Sequence, residues 1–186
     1  MKRSTLNQYS KIRFFLIETI KINRFSLIIL LFLLISFSSF SQANQRTPIF
    51  EKNNFLTTLR TSSSTTPAVY NRVASLFKDV NSSIYLSNNQ VNTIGNRPLC
   101  MFTDVTSLSV ANNPNLLVND VELVTIKIDN PSTLNAPINL SVVSRYHNVK
   151  YIYFKVSFDF QISQLLSHLL EVDPKVVLIY SVDKRS

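Results

Sequence analysis

The chain has 186 residues, with one glycine, one cysteine, two histidines and a formal net charge of +8. A single glycine, Gly95, cannot supply a Walker loop, a dinucleotide-binding fingerprint or a nucleophile elbow, which each need several glycines. One cysteine excludes an intramolecular disulfide, and with two histidines the sequence indicates no zinc cluster and no cofactor. A magnesium or calcium site built from carboxylates stays open, although no calcium-loop spacing supports one.

The first 41 residues have the composition of an export signal. Residues 1–24 hold six basic side chains and one acid, and an uncharged apolar run follows from Phe25 to Phe40. Small residues, Ser39 and Ser41, then stand at the −3 and −1 positions of a cleavage site, which predicts a signal peptide over 1–41. The apolar run has 16 residues, shorter than the ~20 that span a bilayer. The alternative is an uncleaved anchor, the only predicted contact with a membrane.

Removal of residues 1–41 changes the charge balance. The remainder keeps 13 basic and 10 acidic residues, a net charge of +3. This weak charge predicts no nucleic-acid binding. We expect an exported protein that is periplasmic, attached to the cell surface or secreted.

The predicted organisation is a polar lead-in over 42–66 followed by a folded domain over 67–186. The lead-in has one ordered patch around residues 50–59. Thr66 suits a helix N-cap and Pro67 the first helical position, so a helix is predicted from Pro67 to about Lys78. Its apolar residues recur at helical spacing, as shown by Val69, Val73, Leu76 and Phe77.

Short stretches of alternating or continuous apolar residues follow, and several end in asparagine. They predict strands over 83–87, 105–110, 121–128, 150–160 and 176–182, with a helix from about residue 163. The chain has 17 asparagines after residue 42. Asparagine tolerates the left-handed backbone that turns require, so it can replace glycine there.

Two segments share the motif F-x-D-V, at 77–80 and 102–105, and a third resembles it at 146–149. Val105, Leu108, Val110 and Asn113 fit the frame L-x-x-L-x-L-x-x-N, and the segments that begin at residues 121 and 149 fit part of it. On these residues the chain resembles a leucine-rich repeat protein over about 75–182. The step of 16 residues from Val105 to Val121 lies outside the family range of about 20–29.

The resemblance implies an α/β fold, a short solenoid of parallel strands with helix 67–78 as its N-terminal cap. It places Asn89, Asn113 and Asn130 in a ladder that bonds the backbone of the next unit. It also aligns outward-facing residues in columns that contain Ser107, Ser109 and Ala111 in the second copy. The predicted binding residues in these columns are Tyr85, Thr125, Lys127, Tyr151, Tyr153 and Lys155, since tyrosine with lysine is typical of binding surfaces.

Two functions follow from these patterns. The first is a binding protein without catalysis whose partner is a protein or a cell-surface glycan, although an ordinary solvated sheet face would show the same residues. The second is a small secreted α/β hydrolase or transferase, with polar side chains converging around His147 or His168. Strand order and direction distinguish the solenoid from other α/β folds.

Overall fold

The structure is a computed structural model that describes residues 48–184. The predicted signal peptide, 1–41, and the start of the lead-in lie outside the described residues. Within the described part of the chain, no helix is long and apolar enough to cross a membrane.

Most strands belong to one open sheet. Its strands are β1 (Ile49–Glu51), β2 (Ser83–Ser87), β3 (Gln90–Ile94), β4 (Cys100–Asp104), β5 (Leu123–Ile128), β7 (Tyr151–Val156) and β9 (Val177–Val182). They lie in the order β1-β9-β7-β5-β4-β2-β3, and every pair is parallel except β2–β3. Two short strands, β6 (Ile138–Asn139) and β8 (Leu169–Leu170), pair separately. The predicted α/β class is confirmed, with a mostly parallel sheet that does not close into a barrel.

The helices are few and short. They are α1 (Lys52–Thr61), α2 (Pro67–Lys78), α3 (Ser141–Ser144) and α4 (Ile162–His168), with 3-10 turns at Leu108–Asn112 and Pro131–Asn135. The prediction for α2 is confirmed at both ends. The Thr66 hydroxyl accepts a hydrogen bond from the Val69 N–H, and Pro67 begins the helix.

The sheet has two faces with different cover. On the core face, side chains such as Ile126 and Phe154 pack against the segments that connect successive parallel strands. Those segments contribute Leu108, Leu134 and Leu165 to the same cluster. A strand buried on this face needs its neighbour and its return segment for cover, so the core is continuous along the sheet.

The opposite face, which we call the cavity face, lies under α1 and α2 at the amino-terminal ends of its strands. Leu76 of α2 packs with Cys100, Leu123 and Ile179. The expectation that this helix caps the first strand is therefore wrong, because the helix packs on a face of the sheet with residues of β4, β5 and β9. Apolar residues at this end of the strands require cover, and the amphipathic helix supplies it. Burial raises the pKa of the Cys100 thiol to about 11.

The predicted strand over 105–110 is also wrong. Residues Leu108–Asn112 form a 3-10 turn, and the strand is β4, five residues earlier. The Asp104 carboxylate ends the strand, because it accepts hydrogen bonds from the Ser107 N–H and the Thr106 hydroxyl. The F-x-D-V motif is consequently not a structural repeat, since Phe77 lies in the last turn of a helix and Phe102 lies in a strand.

Sequence reasoning missed the hairpin of β2 and β3. Asn88 and Asn89 join the two strands with φ values of 50° and 59°. Two left-handed residues in a two-residue loop form a type I′ turn, which matches the twist of paired strands. The prediction that asparagine takes the place of glycine in turns is confirmed at this turn.

Toward the amino terminus, the predicted lead-in contains edge strand β1 and helix α1.

Candidate functional site

A concave site lies on the cavity face, beyond the part that α1 and α2 cover. Its volume is about 550 Å³. The strand register aligns Tyr85, Phe102, Thr125 and Tyr153 in one row across β2, β4, β5 and β7. The next row contains Asp104, Lys127 and Lys155. Both rows line the cavity, and because the strands are parallel they meet near the carboxyl ends of the strands.

Aromatic rings form one end of the cavity. The rings of Tyr85 and Phe102 stack with centroids 5.0 Å apart and an interplanar angle of 12°. Tyr85 remains 39% exposed, so this pair offers a flat apolar platform to solvent. On the side of the cavity formed by β7, the ring of Phe77 in α2 packs edge-on against the ring of Tyr153, with centroids 5.4 Å apart.

The rim carries charges of both signs. Lys127 Nζ lies 2.6 Å from Asp129 Oδ2, and Lys155 Nζ lies 3.1 Å from Asp183 Oδ2. These four side chains are exposed and line the cavity. Exposed ion pairs contribute little to stability, so a polar ligand can exchange partners with them at low cost.

A hydrogen-bond network fixes the side of the cavity formed by β7 and β9. The hydroxyl of buried Ser181 donates to Asp183 Oδ1 at 3.1 Å, so the Tyr153 hydroxyl, 2.6 Å away, donates to Ser181. Burial alone would raise the pKa of Asp183, but the hydrogen bonds from Lys155 and Ser181 outweigh it and lower the pKa. The carboxylate of Asp183 therefore stays charged at neutral pH.

Asp104 is a second fixed carboxylate at the cavity. Partial burial raises its pKa, but hydrogen bonds from Thr106 and Ser107 outweigh burial and the net pKa is lowered. Its oxygen atoms accept from the Ser107 N–H at 2.6 Å and the Ser107 hydroxyl at 3.1 Å. These bonds hold an anionic acceptor in one orientation beside the aromatic platform.

The structure brings together five of the six predicted binding residues. Tyr85, Thr125, Lys127, Tyr153 and Lys155 all line the cavity. Tyr151 does not, because α1 covers it. The centroid of its half-buried ring lies 6.0 Å from that of the Phe55 ring, and burial raises the pKa of the Tyr151 hydroxyl.

Sequence reasoning missed several lining residues. Phe102 and Asp104 occupy the places given to Ser109 and Ala111, since the second copy of the repeat was aligned seven residues too late. Ser107, predicted for the same face, lies in the turn after β4 instead, where its N–H and hydroxyl donate hydrogen bonds to the Asp104 carboxylate. Lys52 and Asp183 come from outside the predicted frame, and no pattern in the sequence places them at the site.

The three asparagines predicted as a ladder lie in separate turns. Asn89 is in the β2–β3 hairpin. Asn113 and Asn130 accept hydrogen bonds from N–H groups two residues ahead, those of Asn115 and Ser132. A side-chain bond between units is made instead by Asn148, which donates to the Asn119 carbonyl.

Neither histidine lines the cavity. His147 is exposed just before β7, and His168 Nδ1 lies 2.9 Å from the Gln164 carbonyl within α4. Among residues 48–184, no cluster of three or more His, Cys, Asp or Glu side chains is placed to hold a metal ion.

No protein-family model, curated protein or solved structure matches the chain. The functional argument therefore depends on the site itself.

Proposed function

We propose that this chain is an exported, non-catalytic binding protein that holds a cell-surface glycan in the cavity. The observation that carries the proposal is the exposed Tyr85–Phe102 platform beside carboxylates and ammonium groups on the same sheet face. A sugar ring has an apolar C–H face and a polar edge of hydroxyls. The platform matches the first, and Asp104 and Lys127 offer hydrogen-bond partners for the second.

The size of the site favours a glycan over a folded protein. A cavity of about 550 Å³ lies within the ~300–1,000 Å³ typical of sites for small ligands. A stable protein partner would need roughly 800 Å² of surface from each side. The lysines and aspartates of the rim balance in number, which suits an uncharged or zwitterionic ligand rather than a polyanion.

The connectivity supports a short solenoid of the leucine-rich-repeat kind. The paired residues Ser83, Cys100, Leu123, Tyr151 and Val177 mark successive units with steps of 17, 23, 28 and 26 residues. The last three steps lie within the family range of about 20–29, and the first is shorter. The segments between these strands pack on one face of the sheet, as the return segments of stacked repeats do.

Export would bring the site to its ligand. We propose that residues 1–41 direct secretion and are removed after Ser41, which leaves the domain in the periplasm, at the cell surface or outside the cell. N-terminal sequencing of protein recovered from these compartments tests this, because an intact terminus would indicate an anchor instead.

The binding experiment uses an array of immobilised cell-surface glycans, followed by calorimetric titration of the best soluble oligosaccharide. Tyr85→Ala should weaken binding at least about tenfold, the effect of losing one good aromatic contact of ~1.4 kcal/mol. Phe50→Ala is the matched control, since Phe50 is equally exposed, at 41%, and does not line the cavity. Equal losses in the two variants, or no glycan bound by the wild-type chain, would refute the proposal.

The alternative, a small secreted hydrolase or transferase, predicts polar side chains around His147 or His168. Neither residue lines the cavity. Among the described residues, the site therefore supports binding better than it supports this alternative.

A further inference from the structure

The sheet ends on one side at β3, a strand without the usual protection of an edge. All five residues of Gln90–Ile94 are exposed, and none is charged or a proline. Natural edge strands are commonly short, charged or bulged, which prevents pairing with other chains. The opposite edge, β1, follows that rule, since it has three residues and ends at Glu51. The strand β3 is therefore the edge suited to receive another strand.

The hairpin determines which backbone groups of β3 point outward. Ser87 and Gln90 close its two-residue loop, and Tyr85 pairs with Asn92. In such a hairpin, alternate residues bond to the first strand, beginning with the closing pair. The N–H and C=O groups of Val91 and Thr93 therefore point away from β2. An antiparallel partner strand would satisfy both residues.

The sequence of β3 fits a second copy of itself. An antiparallel register centred on Asn92 sets Val91 opposite the second copy's Thr93, so the outward-facing groups of each strand meet those of the other. Every side chain in this register is uncharged, so no like charges oppose one another. Val91 and Ile94 are 40% and 54% exposed, and pairing would cover part of both.

We propose that two copies of this chain pair antiparallel through β3, about a two-fold axis at Asn92, and form one continuous sheet. The axis is perpendicular to the sheet, so both cavities open on the same side. Tyr85 and Asn92 are neighbours across strands, so three strand spacings of ~4.8 Å separate the two Tyr85 columns, a distance of ~14 Å. Two sites at this distance can engage one extended ligand. The dimer itself does not depend on what the cavity binds.

The test introduces a charge at residue 92, on the two-fold axis, and measures dimerisation by sedimentation equilibrium. In the proposed register, Asn92→Lys sets two ammonium groups directly opposite and should weaken dimerisation by about tenfold or more, as should Asn92→Asp. An equimolar mixture of the two variants should restore the dimer, because opposite charges then meet. Gln90→Lys is the matched control, since it adds the same charge to the same strand opposite Ile94 instead of opposite itself.

The wild-type chain should sediment mainly as a dimer at about 100 μM, which requires a Kd in the micromolar range. A wild-type monomer at that concentration, or assemblies larger than a dimer, would overturn the proposal. Equal dimerisation of wild type and Asn92→Lys, or a mixture that stays monomeric, would also overturn it. Circular dichroism of each variant shows that the fold is intact, so a loss of dimer reports pairing.

Discussion

The buried hydrogen bond between Tyr153 and Ser181 permits a quantitative test of how the cavity wall is held. The two hydroxyl oxygens lie 2.6 Å apart, and Ser181 also donates to Asp183. Both residues are buried. The two hydroxyls should therefore differ in the cost of their removal, because only the loss of the Ser181 hydroxyl leaves a buried donor without its partner.

Tyr153→Phe removes the donor and leaves Ser181 still bonded to Asp183. The expected loss in the free energy of unfolding is about 1 kcal/mol, the net value of one hydrogen bond. Ser181→Ala strands the Tyr153 hydroxyl as a buried donor without its partner, which should cost about 2–3 kcal/mol. The double variant has no stranded hydroxyl, so it should cost no more than Ser181→Ala alone.

Urea unfolding of the four proteins measures these differences, with m values compared to confirm the same change in exposed surface. Tyr85→Phe is the control, since the exposed hydroxyl of Tyr85 should contribute less than about 0.5 kcal/mol. Additive costs in the double variant would refute the network, as would a Ser181→Ala protein as stable as Tyr153→Phe.

Two further predictions concern titration. Because burial raises the pKa of Cys100 to about 11, roughly a thousandth of the thiol is ionised at about pH 8, and its labelling by a disulfide reagent should be about a hundredfold slower than that of free cysteine. Labelling at the free-cysteine rate before any urea is added would contradict the buried position. Burial raises the pKa of Glu122, but its bonds to Arg72, at 2.6 Å, and Lys150, at 3.0 Å, outweigh burial and lower it. The stability linked to Glu122 is therefore present above the unfolded glutamate pKa of about 4.3 and is lost as the pH falls through the folded-state value. Urea unfolding between about pH 6 and 3 should show a smaller decline for Glu122→Gln than for wild type, and equal declines would rule out this linkage.

Local sequence patterns were sufficient to predict the elements whose ends and buried faces depend on nearby residues. The helix from Pro67 was predicted to the residue because Thr66 caps it and its apolar stripe has helical spacing. The strand β2 was predicted with its bounds, and the buried strands β5, β7 and β9 within a few residues of theirs. The columns Tyr85–Thr125–Tyr153 and Lys127–Lys155 followed from the same strands, since alternation assigns each residue to a face.

Pattern failed at the second unit for a physical reason. The segment from Val105 to Asn113 has the spacing of a repeat, but Asp104 binds the backbone ahead of it and turns the chain. A frame that fits apolar spacing cannot detect such a cap. Phe102 and Asp104 were consequently absent from the predicted site, although they supply half of its platform and one fixed carboxylate.

The sequence by itself determined which residues are apolar, where α2, β2, β5, β7 and β9 form, and that asparagine can take the place of glycine in turns. The tertiary structure decided which strands became neighbours, where α1 and α2 lie on the cavity face, and hence which half of that face stays open. Tyr151 and Tyr153 show the difference, because they occupy the same strand and the same face, yet α1 covers one and the other lines the cavity. Cover by a distant segment depends on packing across the whole sheet, which no local spacing records.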